Sequence, residues 1–458
     1  MNPVLYEWMP LESTLTRAGQ MSDTSSHFLI IAGGCFRPPK GLTNQSSTEE
    51  SYAREIAMQH ALSSIRVLDL THYIAGPYCT KLLADYGAEV IKIEKPDTGD
   101  GARTLPPFFA DQPGRERSGL FFFLNTNKQS VTLNLKHDRG REIALRLAQQ
   151  VDVLVENFRP GVMRRLGLAH EDLVKVNPRL VSVSLTNFGS SGPYRDYQLT
   201  DSVSYALGGW TYPMGELDRP PVQPGGAFGQ YVAGLYAAIG ALQAVRSGNA
   251  AGAGQTVEVS IQEALIATTL YDFVAFSYAG FVRKRSGRQF HLAYPNLVIL
   301  PCADGYVGIH AGLPHQIHAL LELVERPDLA ADPHFTSFPA IAKHAKEFHQ
   351  ALLPWLQQRG KWDIYHAAQR RGIPLSPIPT PAEVVEWPHL QERQSFIEIA
   401  HPEGGTVKIP GPPFRENGKP LWPLRRAPLL GEHTEAVLSD KLGYGRTDVR
   451  QLRESGVI

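Results

Sequence analysis

A short apolar run, Ile65-Arg66-Val67-Leu68-Asp69-Leu70, constrains the fold of this chain more than any other feature. It is rich in β-formers and ends in a loop, Thr71 to Pro77. Helical spacing of apolar positions follows over Tyr78 to Tyr86, and Gly87 stops that helix as a C′ glycine does. Val90-Ile91-Lys92-Ile93 then reads as a second strand. Strand, loop, helix and strand in this order form the unit of a Rossmann-like parallel sheet with helices on its faces.

The alternation continues. Strands are predicted at Ser130 to Leu135, Val151 to Glu156, Leu180 to Leu185 and Thr256 to Ser260. Helices are predicted at Arg139 to Gln150, at Gln230 to Arg246, and as one long helix at Ile261 to Phe276. A hairpin with Asp304-Gly305 in its turn is expected near residues 297–310, followed by helices at Leu313 to Glu325 and Ile341 to Gln358. The predicted class is therefore α/β, with a large Rossmann-like domain and a smaller α+β domain. The large domain takes residues 61–260 and a return segment, 396–458. A helical linker spans 261–293 and the small domain 294–395. Residues 1–60 are rich in Ser and Thr and interrupted by Pro38-Pro39. They are expected to form a poorly ordered extension, or to lie upstream of the true start, with a short helix near Glu50 to Ser63.

Composition narrows the function. The 45 basic and 45 acidic side chains cancel, so no global field favours nucleic acid or an anionic membrane, and an anionic ligand needs a local cluster of cations. Cys35, Cys79 and Cys302 are too widely spaced for a zinc motif and too few for a secreted disulfide framework. His291, His310 and His315 lack metal-ligand spacing, so no metal is expected. No apolar run approaches a membrane span, and Phe28 to Gly34 lacks the basic flank of a signal peptide. A cytoplasmic location is expected.

The order of the motifs resembles the family III CoA-transferases, the formyl-CoA transferase, carnitine CoA-transferase and α-methylacyl-CoA racemase family. Arg66 to Thr71 with Ala75-Gly76-Pro77-Tyr78-Cys79-Thr80 resembles the family's opening strand and loop, and Leu82 to Glu94 continues it. Further along come Gly99-Asp100, Arg103, Asn125-Thr126-Asn127-Lys128-Gln129-Ser130, Glu156-Asn157-Phe158-Arg159-Pro160-Gly161 and Gly192-Pro193-Tyr194. Ala427-Pro428-Leu429-Leu430-Gly431-Glu432-His433-Thr434 closes the series. The resemblance runs from about residue 63 to 458. It implies an interlocked dimer, a homodimer or a hetero-oligomer with a paralogue. It also implies CoA or acyl-CoA and a small carboxylic acid as substrates, with no permanently bound cofactor.

CoA carries phosphates and an adenine, so its site needs cations, backbone N–H groups and a flat apolar slot. The resemblance places CoA contacts at Tyr73, Ile74 and Ala75, and at Lys95, Asn157 and Arg165. Arg103 and Lys128 are further candidate cations. Each lone Lys or Arg also reads as a solvated surface charge. Gly76-Pro77 reads both as a tight turn and as a place where backbone approaches ligand.

The transferase reaction needs a carboxylate that attacks the thioester carbonyl. At the family's aspartate position this chain has Gln230, a neutral amide and a very poor nucleophile. The racemase histidine is matched by Thr200, and the glutamine at the active-site mouth of oxalate-linked members by Ile74. Asp201 is the candidate substitute carboxylate, and it reads equally as a helix N-cap. Two functions stay open: CoA transfer to a carboxylic acid, and a non-catalytic CoA-binding subunit that pairs with an active paralogue.

Overall fold

A computed structural model describes residues 60–287, 297–416, 418–420 and 424–458. The expected N-terminal extension lies almost wholly outside these residues, and so do 288–293 of the expected linker and 294–296 of the expected small domain. The helix expected near Glu50 to Ser63 falls there too, except that 60–63 begin a turn.

Six strands form one parallel sheet: β1 (Arg66–Asp69), β2 (Glu89–Glu94), β3 (Gln129–Thr132), β4 (Val153–Glu156), β5 (Val181–Thr186) and β6 (Thr256–Ser260). Their order is β3-β2-β1-β4-β5-β6, with parallel register throughout. Val67, Leu68, Val153, Leu154 and Val155 are almost fully buried, as strands covered on both faces must be. The order reverses between β1 and β4, and doubly wound sheets open a ligand crevice at the carboxyl ends of the strands there.

Five helices matter for the site: α1 (Ala75–Asp85), α2 (Asp138–Ala148), α3 (Asp201–Leu207), α4 (Phe228–Ala251) and α5 (Thr434–Leu442). On one face of the sheet, Leu68, Ile93 and Leu154 pack on Ile143 and Leu147 of α2, and on Leu438 and Val457 from the chain's last stretch. On the other face, Val67, Val90 and Val183 pack on Leu83 of α1 and Ala233 and Ala237 of α4. The last stretch is tied to β3: His433 N–H donates to the Ser130 carbonyl at 2.9 Å, and Thr132 N–H to Thr434 Oγ1 at 3.0 Å.

A second core surrounds an antiparallel sheet of β7 (Leu297–Cys302), β8 (Gly305–His310) and β9 (Leu375–Pro377). Helices Pro314–Leu323, Ala345–Leu356 and Lys361–Gln369 cover it. A hairpin, β10 (Phe396–Ala400) and β11 (Thr406–Pro410), packs Ile397, Ile399 and Ile409 on Phe121 and Phe122 beside the first sheet. No helix among the described residues is long and apolar enough to cross a membrane.

Two long helices read from the sequence are broken in the structure. Ile261 to Phe276 is two helices, Ile261–Ile266 and Leu270–Ala279. Between them Thr268 Oγ1 and Thr269 Oγ1 donate to the carbonyls of Leu265 and Ile266, each at 2.7 Å, side-chain bonds that compete with the helical ladder. The helix expected over Ile341 to Gln358 is likewise interrupted, at His344.

Candidate active site

Close packing of α4 on α1 assembles the site. A Cβ on Gly234 would lie 2.6 Å from the Ala75 carbonyl and 3.2 Å from the Tyr78 Cβ, so only glycine allows this approach. Tyr231 meets Tyr78 edge to face at 4.8 Å. Gln230 lies about one helical turn along α4 from Gly234, the residue that touches the Ala75 carbonyl.

α1 starts at Ala75, three residues before the helix read from the sequence, with Ile74 at its N-cap and no side chain capping it. Pro77 in its first turn has no N–H to satisfy. Gly76 answers a packing need: a Cβ there would fall 2.4 Å from Thr71 Cβ. Tyr73, just ahead, is half-exposed and has φ +68°.

At the carboxyl ends of β1 to β4 lies a cavity of about 460 Å³. Leu70, Ile93, Leu133, Phe158 and Leu166 form its apolar walls, and His72, Lys95 and Lys136 are at its rim. Lys95 follows β2 and Lys136 follows β3, and neither is in an ion pair among the described residues. An apolar slot with free cations beside it is what an adenine nucleotide requires. Across Phe158 lies a smaller cavity, about 280 Å³, lined by Ala75, Asn157, Arg159, Arg165 and Arg195. Arg165 is exposed there, whereas Arg159 is hydrogen-bonded to Gln198 Oε1 at 2.8 Å.

Asp201 is the first residue of α3, and Thr200 is its N-cap, with Oγ1 accepting the Val203 N–H. The capping role considered for Asp201 is therefore filled by its neighbour, and the Asp201 carboxylate is left to other partners. Gln230 Nε2 donates to both of its oxygens, 3.1 Å from each. Tyr205 steadies the approach to α4: its hydroxyl accepts Phe228 N–H at 2.7 Å and donates to the Gly226 carbonyl at 3.1 Å.

With the site described, comparison with known proteins identifies the group. The model of CoA-transferase family III matches residues 62–434. The chain belongs to CoA-transferase family III. Among curated family III relatives, the succinyl-CoA–D-citramalate CoA-transferase of Chloroflexus aurantiacus is 33% identical over 398 residues, 87% of this chain and 98% of that protein. The formyl-CoA:oxalate CoA-transferase of Streptomyces avermitilis is 34% identical over 418 residues, 88% of this chain and 100% of that protein. A CAIB/BAIF family protein from Brucella suis superposes with a TM-score of 0.75 at 29% identity, covering 84% of this chain and 100% of its own.

Against that family III background, the residues expected from the sequence divide in two. Lys95 lines the larger cavity and Ala75, Asn157 and Arg165 the smaller; Tyr73 and Ile74 line neither and only connect His72 to Ala75 in the chain; Gln230 meets Asp201. Arg103 and Lys128 do not offer cations to a ligand. Arg103 is fully buried; its Nε and Nη2 each bond Glu94 at 2.8 Å, Nη1 donates to Glu116 at 2.6 Å, and Nη2 also reaches the Pro428 carbonyl. Its guanidinium lies 3.6 Å from the centre of the Phe121 ring. Lys128 is buried among Asp69, Thr80, Asn125 and the Pro77 carbonyl. Burial pulls it down to about 8, against the pull of Asp69. Asn157 spends its amide on the backbone of His72.

Sequence reasoning missed Lys136, Phe158 and His72. Lys136 had a signal: it follows its strand as Lys95 follows β2. The motif near the chain's end also gains a role. Gly431 N–H donates to Ser130 Oγ, and Ser130 Oγ to Glu94, the residue before Lys95.

Proposed function

We propose that this chain binds an acyl-CoA and transfers its CoA to a small carboxylic acid, with Asp201 as the reacting carboxylate and Gln230 holding it in place. The observation that carries the reading is the pairing of Gln230 Nε2 with both Asp201 oxygens, on the same helix as the Gly234 that packs against Ala75. Adenine fits the slot under Lys95 and Lys136, and the arginine-lined cavity beside Ala75 suits phosphates. In the reaction the carboxylate attacks the thioester carbonyl and expels CoA thiolate, leaving a mixed anhydride on the enzyme. The thiolate then attacks the carbonyl carbon of the Asp201 carboxyl in that anhydride and releases the first carboxylate. The enzyme-bound thioester left behind passes CoA to the acceptor acid by the same two steps in reverse. The curated relatives' own substrates, succinyl-CoA with D-citramalate and formyl-CoA with oxalate, set the first donors and acceptors to assay.

The assay is CoA transfer among these acids, with calorimetry for CoA binding. Transfer with saturable CoA binding supports the reading, and a folded sample that binds no CoA at millimolar ligand overturns it.

A second reading is favoured by Gln230 itself. If Asp201 serves only to hold the amide, the chain is a non-catalytic CoA-binding subunit that pairs with a paralogue carrying an aspartate at this position. Calorimetry then gives binding, and the assay gives no transfer.

The same proposal includes a dimer, a large domain built from both chain ends with a smaller one between, a cytoplasmic location and no permanently bound cofactor. The dimer has support from exposed apolar side chains: Leu235 and Ile239 on α4, the latter 62% exposed, and Phe276 and Tyr278 on the helix Leu270–Ala279, the latter 90% exposed.

A further inference from the structure

The loop from β1 into α1 is held by side chains at five consecutive backbone groups. Thr71 N–H donates to Asp69 Oδ1 at 2.8 Å, and its carbonyl accepts from Lys92 Nζ at 2.7 Å. His72 N–H donates to Asn157 Oδ1 at 2.8 Å, and its carbonyl accepts from Asn157 Nδ2 at 2.7 Å. Tyr73 N–H donates to Asp100 Oδ1 at 2.9 Å. Asp69 reaches Thr71 from two residues before it, while the other partners come from β2, from the segment after β2 and from just past β4.

The clamp is built from buried charge. Asp69, Lys92 and Asp100 are fully buried, and Lys92 Nζ lies 2.9 Å from Asp100 Oδ2. Buried charges are costly unless paired, so three of them gathered on residues 71–73 of this loop point to a conformation that needs enforcing. That conformation is visible at Tyr73, which has a left-handed φ of +68° that side chains with a Cβ rarely adopt. Its ring covers Gly101, where a Cβ would lie 2.5 Å from it.

We propose that Asp100 and Asn157 are positioning residues that hold Tyr73 left-handed, and so aim the uncapped N-terminus of α1 at the ligand between the adenine slot and the Gln230–Asp201 pair. The inference rests on the acyl-CoA reading. It assigns the loop to the middle of the ligand and leaves the adenosine end to the slot. Asp100 and Asn157 act through backbone, without touching the reacting atoms.

The test separates loop shape from side-chain loss and from folding. Tyr73 is exposed, so Tyr73→Val and Tyr73→Asn remove the same ring with little risk to the fold. Asparagine tolerates the left-handed region and a β-branched valine does not. Asn157→Leu breaks the clamp from the other side. Calorimetry is run with CoA and with adenosine 3′,5′-bisphosphate, which carries only the adenosine end. We expect Tyr73→Val and Asn157→Leu to weaken CoA binding about tenfold, about 1.4 kcal/mol, with the bisphosphate changed less than about twofold. Tyr73→Asn should keep more CoA affinity than Tyr73→Val, because both lose the ring and only valine also resists the left-handed backbone. If Tyr73→Val and Tyr73→Asn behave alike, or if CoA and the bisphosphate weaken together, the inference is wrong while the acyl-CoA reading stands. Wild-type protein that binds neither ligand overturns both.

Discussion

The Gln230 amide and the Asp201 carboxylate meet side chain to side chain, with Nε2 3.1 Å from each oxygen, although 29 positions separate them in the chain. The amide cannot attack a thioester, but its two N–H bonds fix the plane of a group that can. Asp201→Asn should therefore lower the transfer rate by about a thousandfold or more, the range seen when an essential catalytic group is removed. CoA affinity should hold within about threefold. Gln230→Asp introduced into Asp201→Asn protein moves the carboxylate to position 230 and should recover part of the lost rate. Steady-state kinetics on the single and double variants, with CoA calorimetry alongside, decides this; a fully active Asp201→Asn protein excludes Asp201 as the reacting group.

Lys95 and Lys136 flank the slot without ion-pair partners among the described residues. Lys95→Ala and Lys136→Ala should each weaken CoA binding by about fivefold to tenfold at low salt, a contribution of about 1 kcal/mol. The difference from wild type should shrink as salt is raised, because exposed charges are screened within about 10 Å at 0.1 M. Titrations at two ionic strengths check both parts. The same substitution at Arg103 should act on stability instead, since it strips Glu94 and Glu116 of a buried partner.

Acid should unfold the protein through the clamp beneath the loop. Burial raises the Asp69 carboxyl, but Lys128, Lys92 and two threonine hydroxyls outweigh it and hold the group at about 2, against 3.8 when unfolded. Lys92 likewise holds Asp100 well below the usual carboxylate range against the cost of burial. A depressed folded value means that the stabilisation is complete above 3.8 and is lost as pH falls toward about 2. For Asp69 the loss is about 2 kcal/mol. Melting temperature should drop between pH 4 and pH 2, and Asp69→Asn, already less stable, should show a shallower drop over that range. A pH-independent melting temperature there contradicts the ion-paired arrangement.

Assembly gives an independent check. The exposed apolar side chains of Ile239 and Tyr278 are predicted to be covered by another subunit, so light scattering should report a dimer or larger even assembly. A stable particle of 50.6 kDa contradicts that.

The sheet was legible because strands of a parallel sheet are buried on both faces and read as apolar runs, as Val67-Leu68 and Val153-Leu154-Val155 do. What escaped depends on contacts that the linear pattern does not carry. Arg103 looks like a phosphate-binding cation in sequence, and only folding brings Glu94, Glu116 and the Pro428 carbonyl onto it. Asp201 has the composition of an N-cap, but Thr200 beside it takes that bond, and nothing local distinguishes the two. The broken helix at Thr268-Thr269 turns on which way two hydroxyls point. Gln230 was visible as a departure from the family pattern, whereas its pairing with Asp201 comes from the packing of α3 on α4.

Trapping measures directly whether Asp201 carries the acyl and then the CoA group. Wild-type protein is incubated with an acyl-CoA, quenched with hydroxylamine or borohydride, digested and mapped by mass spectrometry. The role of Asp201 as carrier predicts a hydroxamate, or after reduction an alcohol, on Asp201, absent from Asp201→Asn protein and from samples without acyl-CoA. A wild-type protein that binds CoA and turns over but carries no modification at Asp201 would contradict it.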